Sequence, residues 1–344
     1  MIDLSIVVPL YNTEEYIARC LDSLLNQDIP DDKYEIIVIN DGSKDNGKQI
    51  VEKYANQYAQ IKLFDQPNKG LSITRNRGLE LAQGQYVYFI DSDDFVSPNS
   101  FLRIIEYMKK HDLDIFGFGI IPTTGSSLPA SNFGDSAFNN LAIYEGPAYI
   151  NNFNFRNEAV WYIINKKFLN TINLVFTKGY MLADGIFTAE ILYNARRISA
   201  IQSNIYGYFQ RSESALNTSS AARNRFLFKS YEWAALEFDK FYQRLSKEKR
   251  VNEIGLKRIE NKQRAYVFFL LIRVIKSDMS FSEVNDLVNR LKDHQFYPIA
   301  SFFGADYNKF IYRLLLPILN SKTLLFQSVF MYRVVLKSRN ILKF

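Results

Sequence analysis

Three carboxylates crowd the end of an apolar run at Tyr86–Asp94, which reads YVYFIDSDD. Asp91, Asp93 and Asp94 are interrupted only by Ser92. A buried strand that stops here sets like charges side by side at a sheet edge, and a cation is the simplest compensation. Mg²⁺ and Mn²⁺ take hard oxygen ligands of this kind and often share them with a substrate's phosphates. The same residues also read as a solvated turn that caps the next helix, because Asp and Ser are good N-caps. Asp41, in NDGSKD, is a second strand-end carboxylate: it either forms a turn before Gly42 or accepts from a ring N–H of a bound base. Arg75 and Arg77, in NKGLSITRNRG, either bind phosphate or pair with the acids.

Other chemistries find little support. His111 and His294 have no metal-ligand partner at useful spacing, which speaks against histidine-held zinc and against a Ser-His-Asp triad. Cys20, the single cysteine, lies in a helical pattern and reads as a buried structural thiol.

The elements that must position these groups alternate over the first 120 residues. Strands are expected at 4–10, 35–40, 61–65, 86–90 and 113–121, and helices at 14–27, 45–58, 71–83 and 98–110. That period predicts a parallel α/β sheet with crossover helices. Ligands of such sheets bind at the carboxyl ends of strands, so Asn12, Asp41 and Asp91 should face one crevice. Residues 122–160 read as a loop-heavy insertion, 161–220 as mixed, and 221–344 as helices with basic and aromatic residues interleaved.

Taken in order, SIVVPLYN, NDGSKDNG, GLSITRNRG and DSDD resemble the motifs of the family 2 glycosyltransferases of the GT-A fold. Agreement is close over about 3–120 and looser to about 220. The resemblance implies a Rossmann-like nucleotide-sugar-binding domain over 1–220, with a donor half to about 120 and an acceptor half beyond, followed by a basic helical region at 221–344. It implies that Pro9, Tyr11, Asn12 and Glu14 line the nucleotide pocket and that Asp41 accepts from uracil. Lys69, Gly70 and Arg75 would border the phosphates. Asp91 would face the ribose and metal-bound water, Ser92 would belong to the nucleotide site, and Asp93 and Asp91 would hold Mn²⁺ or Mg²⁺. Asp184, in MLADGIF, matches the general base, and Arg211 matches an arginine that contacts diphosphate or acceptor. Asn40, Thr74, Ala183 and Ile163 depart from the family pattern. Ala183 replaces a usual Glu, and Ile163 stands where many relatives have Lys, which implies a different acceptor mode.

The implied activity is inverting transfer from a UDP-sugar to a saccharide or lipid-linked acceptor in cell-surface polysaccharide synthesis. The alternative is a catalytically silent sugar-nucleotide-binding or scaffold protein. A nucleotidyltransferase would be expected to carry a Gly-rich basic phosphate loop after the first strand, and PLYNTEE is not one.

Charge is unevenly spread. Residues 1–220 hold 19 Lys+Arg against 25 Asp+Glu, whereas 221–344 hold 23 against 11, so the two regions should meet different partners. The stretch 310–344 has six Lys/Arg and no acid, with apolar residues at helical spacing: Leu324, Leu325, Val329, Tyr332, Val335 and Leu336. It reads either as a helix packed on the core or as an interfacial helix for anionic lipid. No nucleic-acid reader motif is present. With no signal-peptide pattern and no apolar run of eighteen, the expected location is cytoplasmic, with peripheral membrane contact as one reading.

Overall fold

The computed structural model describes residues 1–128, 135–210, 221–304 and 310–341. The chain divides into two compact units, Met1–Asn217 and Thr218–Phe344.

In the first unit, β1 (Leu4–Leu10), α1 (Glu14–Leu25), β2 (Tyr34–Asn40), α2 (Gly47–Gln57), β3 (Ile61–Asp65), α3 (Leu71–Leu81) and β4 (Tyr86–Phe89) follow one another as expected. Then come β5 (Phe95–Val96), α4 (Phe101–Lys110), β6 (Ile115–Thr123), α5 (Gly146–Asn152) and β7 (Tyr162–Asn165). The unit ends with α6 (Lys166–Thr171), α7 (Ala183–Asn194) and β8 (Ile198–Phe209). All eight strands form one sheet in the order β3-β2-β1-β4-β7-β6-β8-β5.

The sheet is mixed, not wholly parallel. β1 pairs in parallel with β2 and β4, but β7 runs antiparallel between β4 and β6. The apolar runs of β1 and β2 are buried throughout, as strands covered on both faces must be. β7 and β8 were hidden in the sequence because 161–220 mixes short apolar runs with polar ones.

Side-chain alternation along the strands assigns the two faces. Leu4, Ile6, Val8, Tyr86, Tyr88, Ile90, Phe116 and Ile163 join the large core cluster that also contains Ile17, Leu21 and Leu24 of α1 and Ile104 and Met108 of α4. Val7 and Phe89 face the other way. Against Val7 lies α3, at Gly78, and a Cβ added there would sit 2.2 Å from Val7 Cγ1. Phe89 meets Phe176 edge-on at 5.2 Å and Phe187 of α7 at 6.5 Å. Thus α3 and the start of α7 share one face of the sheet.

The second unit is helical among its described residues: α8 (Ala221–Glu248), α9 (Glu253–Ile275), α10 (Phe281–Asp293), α11 (Phe310–Asn320) and α12 (Lys322–Ile341). Ser280 and Glu283 form a reciprocal capping box at the start of α10. Tyr266 of α9 packs on Tyr231 and Phe238 of α8, and Phe268 of α9 meets Tyr312 of α11 edge-on at 5.3 Å. No single helix among the described residues is long and apolar enough to cross a membrane.

The Gly78–Val7 contact sets how closely α3 approaches the sheet. Gly78→Ala should destabilise the protein by about 1–3 kcal/mol, the usual cost of overpacking. Urea denaturation of the variant beside the parent measures it.

Candidate active site

The alternation that puts Tyr88 and Ile90 in the core cluster sends Asp91, next in line, toward the face that carries α3 and α7. Arg75 lies one turn before Gly78 on α3, and Asp184 lies one turn before Phe187 on α7, so each rides on a helix already fixed by packing. Phe187 stacks on Phe176 with ring centroids 3.8 Å apart. Asn76 clamps Phe176, its Nδ2 donating to the Phe176 carbonyl and its Oδ1 accepting the Phe176 N–H, both at 2.8 Å.

These supports bring three charges together. Arg75 Nη1 donates to both carboxylate oxygens of Asp184 at 2.6 Å, and Nη2 donates to Asp91 Oδ1 at 2.7 Å. Arg75 is 1% exposed, whereas the side chains of Asp184 and Asp91 are 23% and 38% exposed. Burial disfavours the guanidinium charge, but Asp184 and Asp91 more than offset it and hold Arg75 protonated. Burial pushes the Asp184 carboxyl above its ordinary value; Arg75 opposes that shift and the Asp91 charge adds to it.

The strand ends are tied to one another by short polar links. Thr13 Oγ1 and Ser92 Oγ lie 2.8 Å apart, joining the ends of β1 and β4. Asn12, at φ +50°, accepts the Lys44 N–H on Oδ1 at 2.8 Å, while Glu14 accepts the Asn46 N–H at 2.6 Å and donates its own N–H to Asp45. These links join the end of β1 to the turn after β2. Asp41 accepts the N–H groups of Lys69 and Gly70 at 2.8 and 2.9 Å and the side-chain amide of Gln66 at 2.8 Å. It thereby shapes the turn in which Gly70 adopts φ +87°, a conformation that favours glycine. Asp41 is 4% exposed. With three acceptor positions filled on its two oxygens, one remains for a ligand.

Several expected roles change. Pro9 is buried within β1, and Ser92 is buried and bonded to Thr13, so neither opens to solvent; Tyr11, Asn12, Lys69 and Gly70 do. Asp94 does not cap α4, whose N-cap is Ser100. Instead Asp94 accepts the Phe209 N–H at 2.8 Å and the Tyr206 hydroxyl, pinning β8 to the acid cluster. Arg77 turns away to the Asp65 carbonyl and Gln66. Asn40 donates to Asp65 at 2.8 Å, a bond that a carboxylate at position 40 could not make. Ile163 lies in the core cluster, while its neighbour Tyr162 meets Thr188 of α7 at 2.8 Å. Ala183 is 1% exposed, so the position of the usual Glu is closed to solvent. Arg211 lies outside the described residues.

Sequence reasoning missed Asn76, Thr13 and Arg19. Arg19 donates to the Asp93 carbonyl at 2.8 Å and lies over the Phe209 ring at 3.9 Å. The available signal for Asn76 was a run of polar residues, Thr74 to Asn76, on the side of α3 that Gly78 and Leu79 mark as buried.

The donor set can be tested for a cation. Burial, then the charges of Asp93 and Asp91, push the Asp94 carboxyl up to about 8. Asp91 and Asp93 are half-buried and offer hard oxygens. Among the described residues no group of three or more His, Cys, Asp or Glu is placed to hold a metal ion. Two carboxylates fit Mg²⁺ or Mn²⁺ only where phosphate and water supply the other ligands, which is the common arrangement for Mg²⁺.

The chain is similar to known proteins in sequence and in fold. Residues 5–170 match the family model described as Glycosyl transferase family 2. The match runs from β1 through β7, so this part of the chain is similar to that family, and the fold is of the GT-A class. It is 32% identical over 208 residues to the uncharacterized glycosyltransferase EpsJ of Bacillus subtilis, covering 59% of this chain and 60% of that protein. It is 29% identical over 220 residues to poly(ribitol-phosphate) β-N-acetylglucosaminyltransferase TarS of Staphylococcus aureus, covering 62% of this chain and 36% of TarS. The chain thus spans about three-fifths or less of the length of these relatives. The crystal structure of S. aureus TarS 1–349 in complex with UDP-GlcNAc superposes with a TM-score of 0.63 at 22% identity, covering 98% of this chain and 92% of that one.

Replacing Arg75 by Met keeps much of the volume but leaves Asp91 and Asp184 uncompensated. Breaking a fully buried pair costs about 3–5 kcal/mol. Partial exposure of both acids lowers the expected loss to about 2–4 kcal/mol at pH 7. The variant's native carboxylates then bind protons more readily than the unfolded chain does, so the deficit should shrink as pH falls. Urea melts at neutral and mildly acidic pH check both statements.

Proposed function

We propose that the domain transfers a sugar, with inversion, from a UDP-sugar to a hydroxyl of a saccharide or lipid-linked saccharide in cell-surface polysaccharide synthesis. The observation that carries this reading is the single guanidinium that joins Asp184 to the strand-end acid Asp91. It brings a candidate base to the place where a nucleotide diphosphate would meet the sheet edge. The printed activity of TarS and the UDP-GlcNAc in its solved complex support the choice of donor class. Residues 1–120 would handle the donor and 121–220 the acceptor.

In this reading Asp91 and Asp93 hold Mn²⁺ or Mg²⁺, which when bound stabilises the negative charge that builds on the departing diphosphate. The remaining steps belong to the chain. Tyr11 and Asn12, at the end of β1, together with Asp41, flank the base. Lys69 and the Gly70 turn border the phosphates. An acceptor hydroxyl is a weak nucleophile and gains from proton removal by a carboxylate within hydrogen-bond reach. Asp184 serves as that base, and Arg75, gripping both its oxygens, fixes its orientation. Direct attack opposite the leaving diphosphate inverts the anomeric centre and needs no covalent enzyme intermediate.

Purified protein with UDP-GlcNAc, UDP-glucose or UDP-galactose and Mn²⁺ should release UDP, and EDTA should stop the release. Asp184→Asn should cut transfer by at least about a hundredfold, the scale of general acid–base contributions, while UDP binding measured by calorimetry stays near the parent value. Asp93→Ala should cut transfer similarly and weaken Mn²⁺-dependent UDP binding. Because a base works deprotonated and Asp184 sits above the ordinary carboxylate range, the rate should fall on the acid side at a higher pH than an exposed aspartate would give. UDP binding with no turnover on any of these donors would favour the silent binding protein instead.

A further inference from the structure

α11 reads FIYRLLLPILN, with seven Leu, Ile or Phe among eleven residues, yet only Leu319 is buried. Phe310, Ile311 and Leu314 are 79%, 50% and 49% exposed. α12 follows after Ser321 at a bend of 105°. Its Leu325 and Val329, four residues apart, are buried and fasten the helix to the second unit. Phe326 is half-buried and stacks on Phe281 of α10, whereas a further apolar set faces outward. Leu324 and Met331 lie two turns apart, with Phe330 and Val334 beside them, all between 42% and 57% exposed. Of the expected stripe, Leu325 and Val329 are thus the packing face, Tyr332 is half-buried, and Leu324 belongs to an apolar set that remains exposed. Side chains at Val335 and Leu336 lie outside the described residues.

Isolated exposed apolar residues are ordinary, but seven on two successive helices are not. The corner between the helices is anchored. Asn320 exchanges two hydrogen bonds with the backbone of Ile299 at 2.8 Å, and the Tyr297 hydroxyl donates to the Leu319 carbonyl at 3.0 Å. Charge narrows the choice of partner. From 310 to 341 the chain has five Lys/Arg and no acid, and Arg313 and Lys322 are exposed beside the apolar set. A second copy would bring like charges together with no carboxylate from this segment to pair them. An anionic lipid surface supplies both the opposite charge and an apolar layer.

We propose that the bent α11–α12 pair is a lipid-docking device that lies in the interface of an anionic membrane. Phe310, Ile311, Leu314, Phe330 and Met331 enter the headgroup–acyl boundary, and Arg313 and Lys322 meet lipid phosphates. This inference does not rest on the transferase reading, because its readout is binding alone.

The test is flotation of the full chain with vesicles of phosphatidylcholine alone, or with about one-third phosphatidylglycerol, at low and high salt. The protein should float with the anionic vesicles, largely detach at high salt, and float poorly with neutral ones. Phe330→Ser combined with Met331→Asp, or Leu314→Asp alone, should lower recovery by about tenfold or more, with the melting temperature unchanged. Lys322→Glu, at an exposed position, keeps the test intact if an apolar substitution disturbs folding. Equal recovery on both vesicle types regardless of salt would overturn the proposal, as would failure to float or variants that float like the parent. So would a dimer, measured by light scattering, that these substitutions dissociate.

Discussion

One buried guanidinium holds the candidate active site together. Burial beside two acids holds Arg75 protonated, and among the described residues its two Nη groups meet two carboxylates: Asp91 at a strand end and Asp184 at a helix start. Each carboxylate alone would disfavour burial beside the other. Their shared counter-charge makes the arrangement tolerable, and the planar fork fixes both orientations at once. α3, β4 and α7 are thereby committed to one geometry. The Asn76–Phe176 clamp and the Phe176–Phe187 stack add apolar weight behind the same alignment.

The parts of the fold with a clear period were legible in the residues. β1 and β3 lie where their apolar runs predict, and α1 through α4 end within a few residues of the expected positions. β5 has only two residues and β7 four, too short for any alternation to register. β8 mixes Gln, Ser and Asn with its apolar residues because part of it faces outward. The antiparallel insertion of β7 is a long-range pairing, and no local signal announces it.

The site was legible in its types but not in its partnerships. Strand-end acids and a helical arginine suggested a charged crevice, and Arg75, Asp91 and Asp184 do meet. That Arg75 would choose both acids while Arg77, two residues on, would turn to a backbone carbonyl depends on which side of α3 faces the sheet. Gly78 marks that side, since its missing Cβ lets the helix lie close against Val7. The supporting hydroxyl pair of Thr13 and Ser92 was invisible for a similar reason: both residues serve equally well as turn or cap formers when read alone.

The same glycine contact bears on transplantation. A designer copying Arg75, Asp91 and Asp184 onto another α/β scaffold would reproduce the side chains but not their spacing, because the gap between α3 and β1 is set by the missing methyl at Gly78. A host whose corresponding helix carries alanine would hold the guanidinium farther from the sheet edge and lose the double grip. Portability of this trio therefore hinges on a residue that bears no functional group at all.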